Sequence, residues 1–467
     1  MKFEIEQFIT IMFIAPIFFS GCNLDLQKIL MERYKDDPES RIKRYTEEIE
    51  HNPEGGDAYR ERARLRYGEG DMDGALADFD KAIELAPYEM RVYNDRANAR
   101  FFAGDLDGAI ADYTKVIELD PKIAGAYYGR GWVESHKGDY KGAIADFDEA
   151  LALNPDFPDV YADRGFARAG LGDFDGAIAD YRRALESDSA NTIYWMGLGE
   201  VESRQGNFEK AIEDFNRALG YEPKNSRAYY GRGYAYLGLK DTAAAMFDFN
   251  ESIELDPQKA VLYTGRSDAE LQQEDYEGAL GDLQKAMELD PKEVHIYGIS
   301  SNVKFAKGDY EGAIADLNKA LELDPDNLSL MSSRGYIKLK AGDTDGAIAD
   351  YDMVLASTPD DATTYNNRGY AEYLRGDYAQ AMADCRKATE IDPKLGYPYK
   401  NLGLVELAKH NYKKAIGYFD KAIELDPGMA EAYKGRAEAK QALGDTKGAE
   451  ADFARERELV PKLRPLQ

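Results

Sequence analysis

The most constraining feature of this 467-residue sequence is a proline that returns at a fixed interval. Twelve prolines share one register with a step of 34 residues, and Ser189 fills the single vacant place in that series. The series divides residues 54–461 into twelve repeats with no insertion or deletion. A chain of this length would otherwise suggest about three globular domains, but a strict period predicts a stacked repeat architecture instead.

Each repeat begins with a segment that is predicted to be a helix, which we call the A helix. An aromatic residue opens it in eleven repeats, for example Tyr59, Tyr127 and Trp195, and Met331 takes that place in repeat 9. A small residue such as Gly131 stands four positions later on the same helix face, which allows a neighbouring helix to approach closely.

The segment that follows predicts a tight turn and a second helix, the B helix. Glycine ends the A helix in nine repeats, which is the usual left-handed C-terminal residue. The next position is Asp in ten repeats and Asn in two, Asn207 and Asn411, and is predicted to cap the B helix by accepting hydrogen bonds from its first amides. All twelve B helices carry Ala at one site, beginning with Ala75, with a bulky residue four positions later, and the proline then ends the helix.

An Arg in the A helix recurs together with an Asp in the B helix, which predicts a ladder of salt bridges between the two helices. Repeats 5 and 8 keep the acidic residue, Asp214 and Asp316, without the Arg, and repeat 11 has Leu402 and Tyr418 instead of the pair. The nine complete pairs are Arg62 and Asp78, Arg96 and Asp112, Arg130 and Asp146, Arg164 and Asp180, Arg232 and Asp248, Arg266 and Asp282, Arg334 and Asp350, Arg368 and Asp384, and Arg436 and Asp452.

The two ends of the array differ from its middle. Asp37 and Pro38 stand in N-cap register and Tyr45 in the bulky B-helix register, so residues 22–53 are predicted to be an N-terminal linker or a degenerate capping repeat. The last B helix has Glu456 where inner repeats have a small apolar residue, which predicts a solvating cap before the tail at residues 462–467.

The period and the recurring residues, as in the stretches 126–132 and 138–147, resemble the tetratricopeptide repeat (TPR) family. The resemblance spans residues 54–461. It implies an all-α fold, a right-handed superhelical solenoid of antiparallel helix pairs whose A helices line a concave groove. Members of the family lay an extended peptide or a partner helix in that groove.

Aromatic residues recur at the A-helix positions that would face the groove. Rigid rings with a polar tip are good anchors for a partner, so these positions are predicted to bind other proteins or peptides. The alternative is that the rings only cover their neighbours. The residues are Tyr128, Trp132, Phe166, Tyr230, Tyr234, Tyr336 and Tyr370.

Several classes of function are not expected for this chain. A formal net charge of -28 argues against nucleic acid and against an anionic membrane surface, and favours basic partners if it steers any. Four scattered histidines and two distant cysteines, Cys22 and Cys385, predict no metal site, no disulfide and no cofactor. Lys400 and Asn401 lie near the positions of the two-carboxylate clamp of chaperone-binding TPR proteins, but the flanking repeats lack the matching set. We expect no catalytic centre.

The N-terminus resembles a bacterial lipoprotein signal. The apolar run at residues 8–19 is shorter than the roughly 20 residues of a transmembrane helix and matches a signal-peptide core. It is followed by Ser20, Gly21 and Cys22, which resemble the end of a lipobox. The resemblance implies a signal peptide at residues 1–21, a lipid on Cys22 and, since Asn23 follows, an outer-membrane location facing the periplasm. The alternative is an ordinary signal peptide or an uncleaved apolar start.

Together these features predict a non-catalytic protein-interaction scaffold, an envelope lipoprotein that touches the membrane only through its N-terminal lipid. One alternative is a cytosolic or inner-membrane adaptor or co-chaperone. Another is a docking subunit for an enzyme that acts in trans. The sequence names neither the partner nor the oligomeric state.

Overall fold

A computed structural model describes residues 37–460 of the chain. The predictions for the signal peptide, for Cys22 and for the tail therefore lie outside the described residues. Within residues 37–460 there are 25 α-helices and no strand, which confirms the predicted all-α class. The helices are α1 Pro38–His51, α2 Gly56–Gly68, α3 Met72–Leu85, α4 Met90–Phe102, α5 Leu106–Leu119, α6 Ala124–Lys137, α7 Tyr140–Leu153, α8 Pro158–Gly170, α9 Phe174–Ser187, α10 Thr192–Gln205, α11 Phe208–Tyr221, α12 Ser226–Gly238, α13 Thr242–Leu255, α14 Ala260–Gln272, α15 Tyr276–Leu289, α16 Val294–Lys307, α17 Tyr310–Leu323, α18 Leu328–Ala341, α19 Thr344–Ser357, α20 Ala362–Arg375, α21 Tyr378–Ile391, α22 Gly396–Ala408, α23 Tyr412–Leu425, α24 Ala430–Ala442 and α25 Thr446–Leu459.

The described helices form two compact segments. The N-terminal segment ends at Lys224 and contains α1 and the helices of repeats 1–5. The C-terminal segment begins at Asn225 and contains the helices of repeats 6–12. In both segments the even-numbered helices are A helices and the odd-numbered ones after α1 are B helices, and each A helix packs on the B helix of its own repeat.

The turn between the A and B helices adopts one backbone conformation in every repeat. The nine predicted glycines have φ between +82° and +90°, so their left-handed conformation is confirmed. The other three repeats have Lys240, Glu274 and His410 at the same position, with φ of 60–62°. A side chain in this conformation costs about 1–2 kcal/mol, so these three turns are strained by the geometry that the repeat requires.

The predicted caps of the B helices are confirmed in ten repeats and wrong in two. Each of the ten Asp residues accepts a hydrogen bond from the backbone N–H three positions later, at 2.9–3.2 Å. The amides of Asn207 and Asn411 instead donate to Glu202 and Glu406, at 2.7 Å each. Both carboxylates are buried in repeats that lack the ladder Arg, and an amide nitrogen supplies the donor that Asp does not have.

Small and large residues alternate where the helices cross, as predicted. The recurring B-helix alanines are fully buried in eleven repeats and 3% exposed at Ala449. The bulky residue four positions later is also fully buried in several repeats, as at Phe79 and Phe147. A Cβ added to Gly131 would lie 3.1 Å from the Phe147 ring, so the small A-helix residue makes room for the B-helix ring.

The predicted salt-bridge ladder is confirmed in all nine repeats that have both residues. In each, the guanidinium donates to both carboxylate oxygens, at 2.5–3.0 Å, and the Asp is no more than 7% exposed. The pairing also shows that the two helices run antiparallel. Arg62 bonds to Asp78, and Arg66, one turn later, bonds to the carbonyl of Gly74, one turn earlier.

Most ladder arginines also reach the repeat that precedes them. Arg96 Nη1 donates to Asp80 at 2.5 Å, and Arg368 Nη1 donates to Asp352 at 2.6 Å. The corresponding acceptor is Asn318 for Arg334, at 2.7 Å. Each guanidinium therefore joins its own two helices to the B helix before it. The remaining bonds of this kind join Arg62 to Thr46, Arg130 to Thr114, Arg164 to Asp148, Arg266 to Asn250, and Arg436 to Asp420.

Repeats 5 and 8 keep the ladder Asp without the Arg, and the two half-buried carboxylates have different surroundings. In repeat 8 the ammonium of Lys304, which stands one turn later in the A helix, lies 2.7 Å from Asp316. In repeat 5 the residue one turn later is Glu202, and burial together with this carboxylate raises the pKa of Asp214 to about 7, opposed by Arg182 and Lys210. The pairing with Arg is thus not obligatory, and in repeat 5 its absence favours the protonated form of Asp214.

The ladder can be tested with a double-mutant cycle on Arg334 and Asp350. Arg334→Leu leaves the buried carboxylate of Asp350 with Lys338 alone, at 2.9 Å, and Asp350→Leu leaves the Arg334 guanidinium without its carboxylate. Each single change is expected to destabilise the protein, by at most about 3–5 kcal/mol. The double change is expected to destabilise it by clearly less than the sum of the two, measured by urea unfolding. Purely additive effects would contradict the ladder. The exposed pair Lys319 and Glu322 on α17 is the control, and its two changes are expected to show no coupling.

The strained turns predict a stabilising substitution. Glu274→Gly is expected to raise the free energy of unfolding by about 0.5–1 kcal/mol, because relief of the left-handed strain exceeds the added entropy of the unfolded chain. The neighbouring residue Gln273 has φ of −88°, so Gln273→Gly relieves no strain and is expected to destabilise by a similar amount. Denaturant unfolding of both variants measures the difference, and a loss of stability in Glu274→Gly would refute the strain.

Candidate partner-binding face

The seven predicted binding residues occupy two positions of the A helix, one and five residues after the recurring aromatic site. Positions four apart lie on one face of a helix, so we call these two positions together the A-face. Tyr128, Trp132 and Phe166 are on the A-face of the N-terminal segment. The four tyrosines Tyr230, Tyr234, Tyr336 and Tyr370 are on the A-face of the C-terminal segment.

Two A-face residues of the N-terminal segment lie near solvent. Phe166 is 52% exposed, with its ring 6.2 Å from that of Tyr140. Trp132 is half-buried between Phe101, at 4.3 Å, and His136, at 4.2 Å. These rings present an apolar surface on helices that the ladder holds in place.

The sequence analysis missed part of this aromatic cluster. Phe102 is 48% exposed, and its ring lies 5.3 Å from Phe101 and 6.0 Å from Tyr67. These residues stand one turn further along the A helix than the predicted positions. The signal that could have identified them is the pair Phe101 and Phe102, since no other repeat has two adjacent aromatic residues at these positions.

Tyr128 packs inside the array and links two A helices. Its ring lies 5.0 Å from Phe157 and 6.1 Å from Phe147, and its hydroxyl donates to Asp163 of the next repeat at 2.9 Å. Burial raises the pKa of Asp163 to about 7, opposed by the hydrogen bond from Tyr128 and reinforced by Asp159. This tyrosine therefore covers its neighbours, which was the alternative considered for all seven.

Tyr230 and Tyr234 pack in a similar way. Their rings lie 5.0 Å apart, and Tyr234 lies 5.4 Å from the buried ring of Phe249. The Tyr234 hydroxyl donates to Asp268 of the next repeat at 2.8 Å, which fixes the ring. Both side chains are half-buried.

Tyr336 and Tyr370 each carry a nearby ammonium group. Tyr336 is 44% exposed, and Lys340 Nζ lies 5.3 Å from its ring centre. Tyr370 is half-buried, stacks on Tyr373 at 6.1 Å, and has Lys400 Nζ 5.1 Å from its ring centre. Cation–π contacts of this kind hold a charge close to an apolar surface.

Residues 37–460 can also be searched for a metal site, a membrane-spanning helix and a reactive thiol. Among residues 37–460 no group of His, Cys, Asp and Glu is arranged to hold a metal ion, and no helix is long and apolar enough to cross a membrane. Cys385 is fully buried, and burial raises the pKa of its thiol to about 12, so the sulfur stays protonated.

Models of known protein families match most of the repeats. A tetratricopeptide repeat model matches residues 35–89, 94–158, 163–220, 201–260 and 333–395. A TPR repeat model matches residues 302–342, and a further tetratricopeptide repeat model matches residues 397–429. The chain belongs to the tetratricopeptide repeat family. This TPR protein therefore has the fold of a protein-interaction scaffold, and none of the matched families is an enzyme family.

Several solved structures resemble this TPR protein. A tetratricopeptide repeat protein from Parabacteroides merdae is 21% identical over 53% of this chain and 98% of its own, with a TM-score of 0.48. Yeast Tom70 is 18% identical over 86% of this chain and 92% of its own, with a TM-score of 0.42. YrrB, described as a TPR protein with an unusual peptide-binding site, is 28% identical over 38% of this chain and 92% of its own, with a TM-score of 0.33. No curated protein matches the sequence.

The raised pKa of Asp163 predicts a pH-dependent stability. The folded state holds this proton more tightly than the unfolded chain, so its contribution is full below about pH 4, falls as the pH rises to about 7, and is then lost. Asp163→Asn is expected to remove this part of the fall and to be relatively more stable at pH 8, in thermal unfolding from pH 4 to pH 9. Asp156→Asn, an exposed carboxylate in the preceding loop, is the control and should leave the pH profile unchanged.

Proposed function

We propose that this TPR protein is a non-catalytic scaffold that binds a partner protein or peptide on its A-face and is held at the bacterial outer membrane by a lipid on Cys22. The observation that carries the binding function is the exposure of Phe166 and Tyr336 at the predicted positions. Exposed rings on an otherwise charged surface are the usual anchors of an interface.

The rigidity of the A helices supports this binding function. In the nine repeats that have the ladder, the A helix is fixed to its B helix, and most of these Arg residues reach the preceding repeat as well. The rings are therefore already placed before a partner arrives, and binding loses little entropy in ordering them. Tyr128 and Tyr234 contribute by fixing the spacing of successive A helices through Asp163 and Asp268.

The location rests on the sequence of residues 1–23. A short apolar run followed by Ser20, Gly21 and Cys22 is typical of a lipoprotein signal. Growth with an alkyne-tagged fatty acid tests it directly, because wild type is expected to carry the tag and Cys22→Ala is not. Equal labelling of both proteins, or labelling of neither, would contradict a lipid on Cys22 and favour the adaptor alternative.

Phe166→Ala tests the A-face. Loss of an exposed anchor ring is expected to weaken partner capture about tenfold, and to change the free energy of unfolding by no more than about 0.5 kcal/mol. The measurement is crosslinked co-purification from the cells that make the protein, with quantitative mass spectrometry of the captured proteins. Trp132→Ala is expected to give the same result, while a large loss of stability would mean that this ring belongs to the core.

The matched control for this test is Phe247→Ala. Phe247 is 60% exposed, much like Phe166, but stands on the B helix α13. Its removal is expected to leave capture unchanged. Equal loss in both variants would mean that exposed phenylalanines bind nonspecifically, and no loss in either would reject the A-face. A dedicated enzyme among the captured proteins would favour the docking-subunit alternative.

A further inference from the structure

Six repeats place a cation at the A-helix position one turn after that of the ladder Arg. In each of them the charged nitrogen lies 2.7–3.0 Å from the recurring Asp of the B helix. This cation balances negative charge between the two helices. The six residues are Arg66, Arg100, Arg168, Lys304, Lys338 and Lys440.

Three ladder repeats place a Glu at this position instead: Glu134 in repeat 3, Glu270 in repeat 7 and Glu372 in repeat 10. The Glu adds a second carboxyl group beside the ladder Asp, and the Asp that caps the B helix supplies a third. A Cβ built on Gly142 would lie 2.9 Å from Glu134 Oε2 and 2.8 Å from Asp139 Oδ2, so these two carboxyl groups converge at the start of the B helix.

The buried oxygens of the three Glu residues fit a bound proton. Among residues 37–460, one carboxyl oxygen of each is buried without a hydrogen-bond partner, and Glu372 is only 3% exposed. Two ionised carboxylates cannot bond to each other, because both are acceptors. Glu270 lies close enough to Asp282 to donate a hydrogen bond to it once it carries a proton.

The ladder decides which carboxyl group of each site carries the proton. The Arg368 guanidinium donates to both oxygens of Asp384, at 2.6 Å and 3.0 Å, which keeps this Asp ionised. Burial, and after it the charge of Asp384, raises the pKa of Glu372 to about 8, opposed by Arg368 and Arg375. The same causes raise the pKa of Glu134 and Glu270 to about 7.

The charged groups around each Glu come from its own helix, the turn and the neighbouring helices. For Glu372 they are Arg368 and Arg375 on α20, Asp377 in the turn, Asp384 on α21, Asp345 and Asp352 on α19, and Lys400 on α22. For Glu134 they are Arg130 and Lys137 on α6, Asp139 in the turn, Asp146 on α7 and Asp107 on α5. For Glu270 they are Arg266 on α14, Asp275 in the turn and Asp282 on α15. In each site the carboxyl groups outnumber the cations, so an ionised Glu is repelled.

We propose that Glu134, Glu270 and Glu372 form a pH-sensitive switch: the protonated Glu bonds to the ladder Asp and stabilises its helix pair, and the ionised Glu repels that Asp and favours opening of the pair. The switch is a property of the fold and does not depend on the proposed function. The folded state holds these protons more tightly than the unfolded chain. Their contribution to stability is therefore full below about pH 4, falls as the pH rises to about 7–8, and is then lost.

Hydrogen exchange of the full-length protein, read by mass spectrometry, tests the switch in repeat 10. After correction for the chemical exchange rate at each pH, protection of α20 and α21 in wild type is expected to fall at least about tenfold between about pH 6 and pH 9, since one pKa unit corresponds to a tenfold change in the equilibrium. Repeat 9 is the internal control, because Lys338 stands in place of the Glu and lies 2.9 Å from Asp350. Protection of α18 and α19 is expected to change by less than about twofold.

Two variants of Glu372 separate the switch from a general loss of stability at high pH. Glu372→Gln keeps the shape of the protonated form, and Glu372→Lys restores the recurring cation, so in both the protection of α20 and α21 is expected to stay unchanged from about pH 6 to pH 9. The matched control is Glu390→Gln on α21, whose side chain is 70% exposed in the wild type. This variant is expected to show the same fall as wild type.

An unchanged protection in wild type, or a fall that persists in both Glu372 variants, would overturn the switch. Neither result bears on the A-face, because no partner is present in the experiment. If both variants fail to fold, infrared spectroscopy of wild type labelled with ¹³C on Glu decides. The carbonyl band of protonated Glu is expected at about pH 6 and should be lost by about pH 9, whereas its absence at pH 6 would overturn the switch.

Discussion

The interaction on which the rest of this structure depends is the bond between the ladder Arg and the buried Asp. A carboxylate that is at most 7% exposed needs a cation with two donors in the right geometry, and the guanidinium supplies it. A buried ion pair adds little net stability compared with apolar packing, but removal of either partner leaves a buried charge uncompensated. In the nine ladder repeats it therefore holds the A helix on its B helix, and the second bond of most of these Arg residues holds the preceding B helix as well. In those repeats an insertion between the Arg and the Asp would separate the pair, which disfavours any change in the 16-residue spacing between them.

Features that recur in most repeats could be predicted from the sequence, because one physical cause acts at each recurrence. The left-handed turn, the Asp caps, the buried alanines and the ladder are of this kind. The error at Asn207 and Asn411 arose because the deciding residue, Glu202 or Glu406, stands in another helix, in a repeat that lacks the ladder Arg. The exposure of each A-face ring could not be predicted from the repeat pattern either, because it depends on contacts with other repeats. Tyr128 is held by Asp163, 35 residues away, whereas Phe166 has no such partner among the described contacts.

The formal charge of the chain overstates the charge of the folded array at neutral pH. At the A-helix position one turn after the ladder Arg, three repeats place a Glu beside the ladder Asp, where others place a cation. Burial and the neighbouring Asp raise the pKa of Glu134 and Glu270 to about 7 and that of Glu372 to about 8. These carboxyl groups are partly protonated where the simple count treats them as ionised. These three Glu residues therefore add less negative charge than the formal count assigns to them. The negative charge that a partner meets comes mainly from the other Asp and Glu residues.

The backward reach of the ladder Arg gives the array a direction. Removing a repeat from the C-terminal end leaves every remaining Arg with all its acceptors, while removing one from the N-terminal end takes an acceptor from the Arg that follows, as Asp80 is taken from Arg96. A ribosome releases the chain in the favourable order, because domains form from the N-terminus as synthesis proceeds. Each new Arg then emerges when the preceding B helix is already folded. The repeats can therefore dock one after another, from the N-terminus onward, during translation.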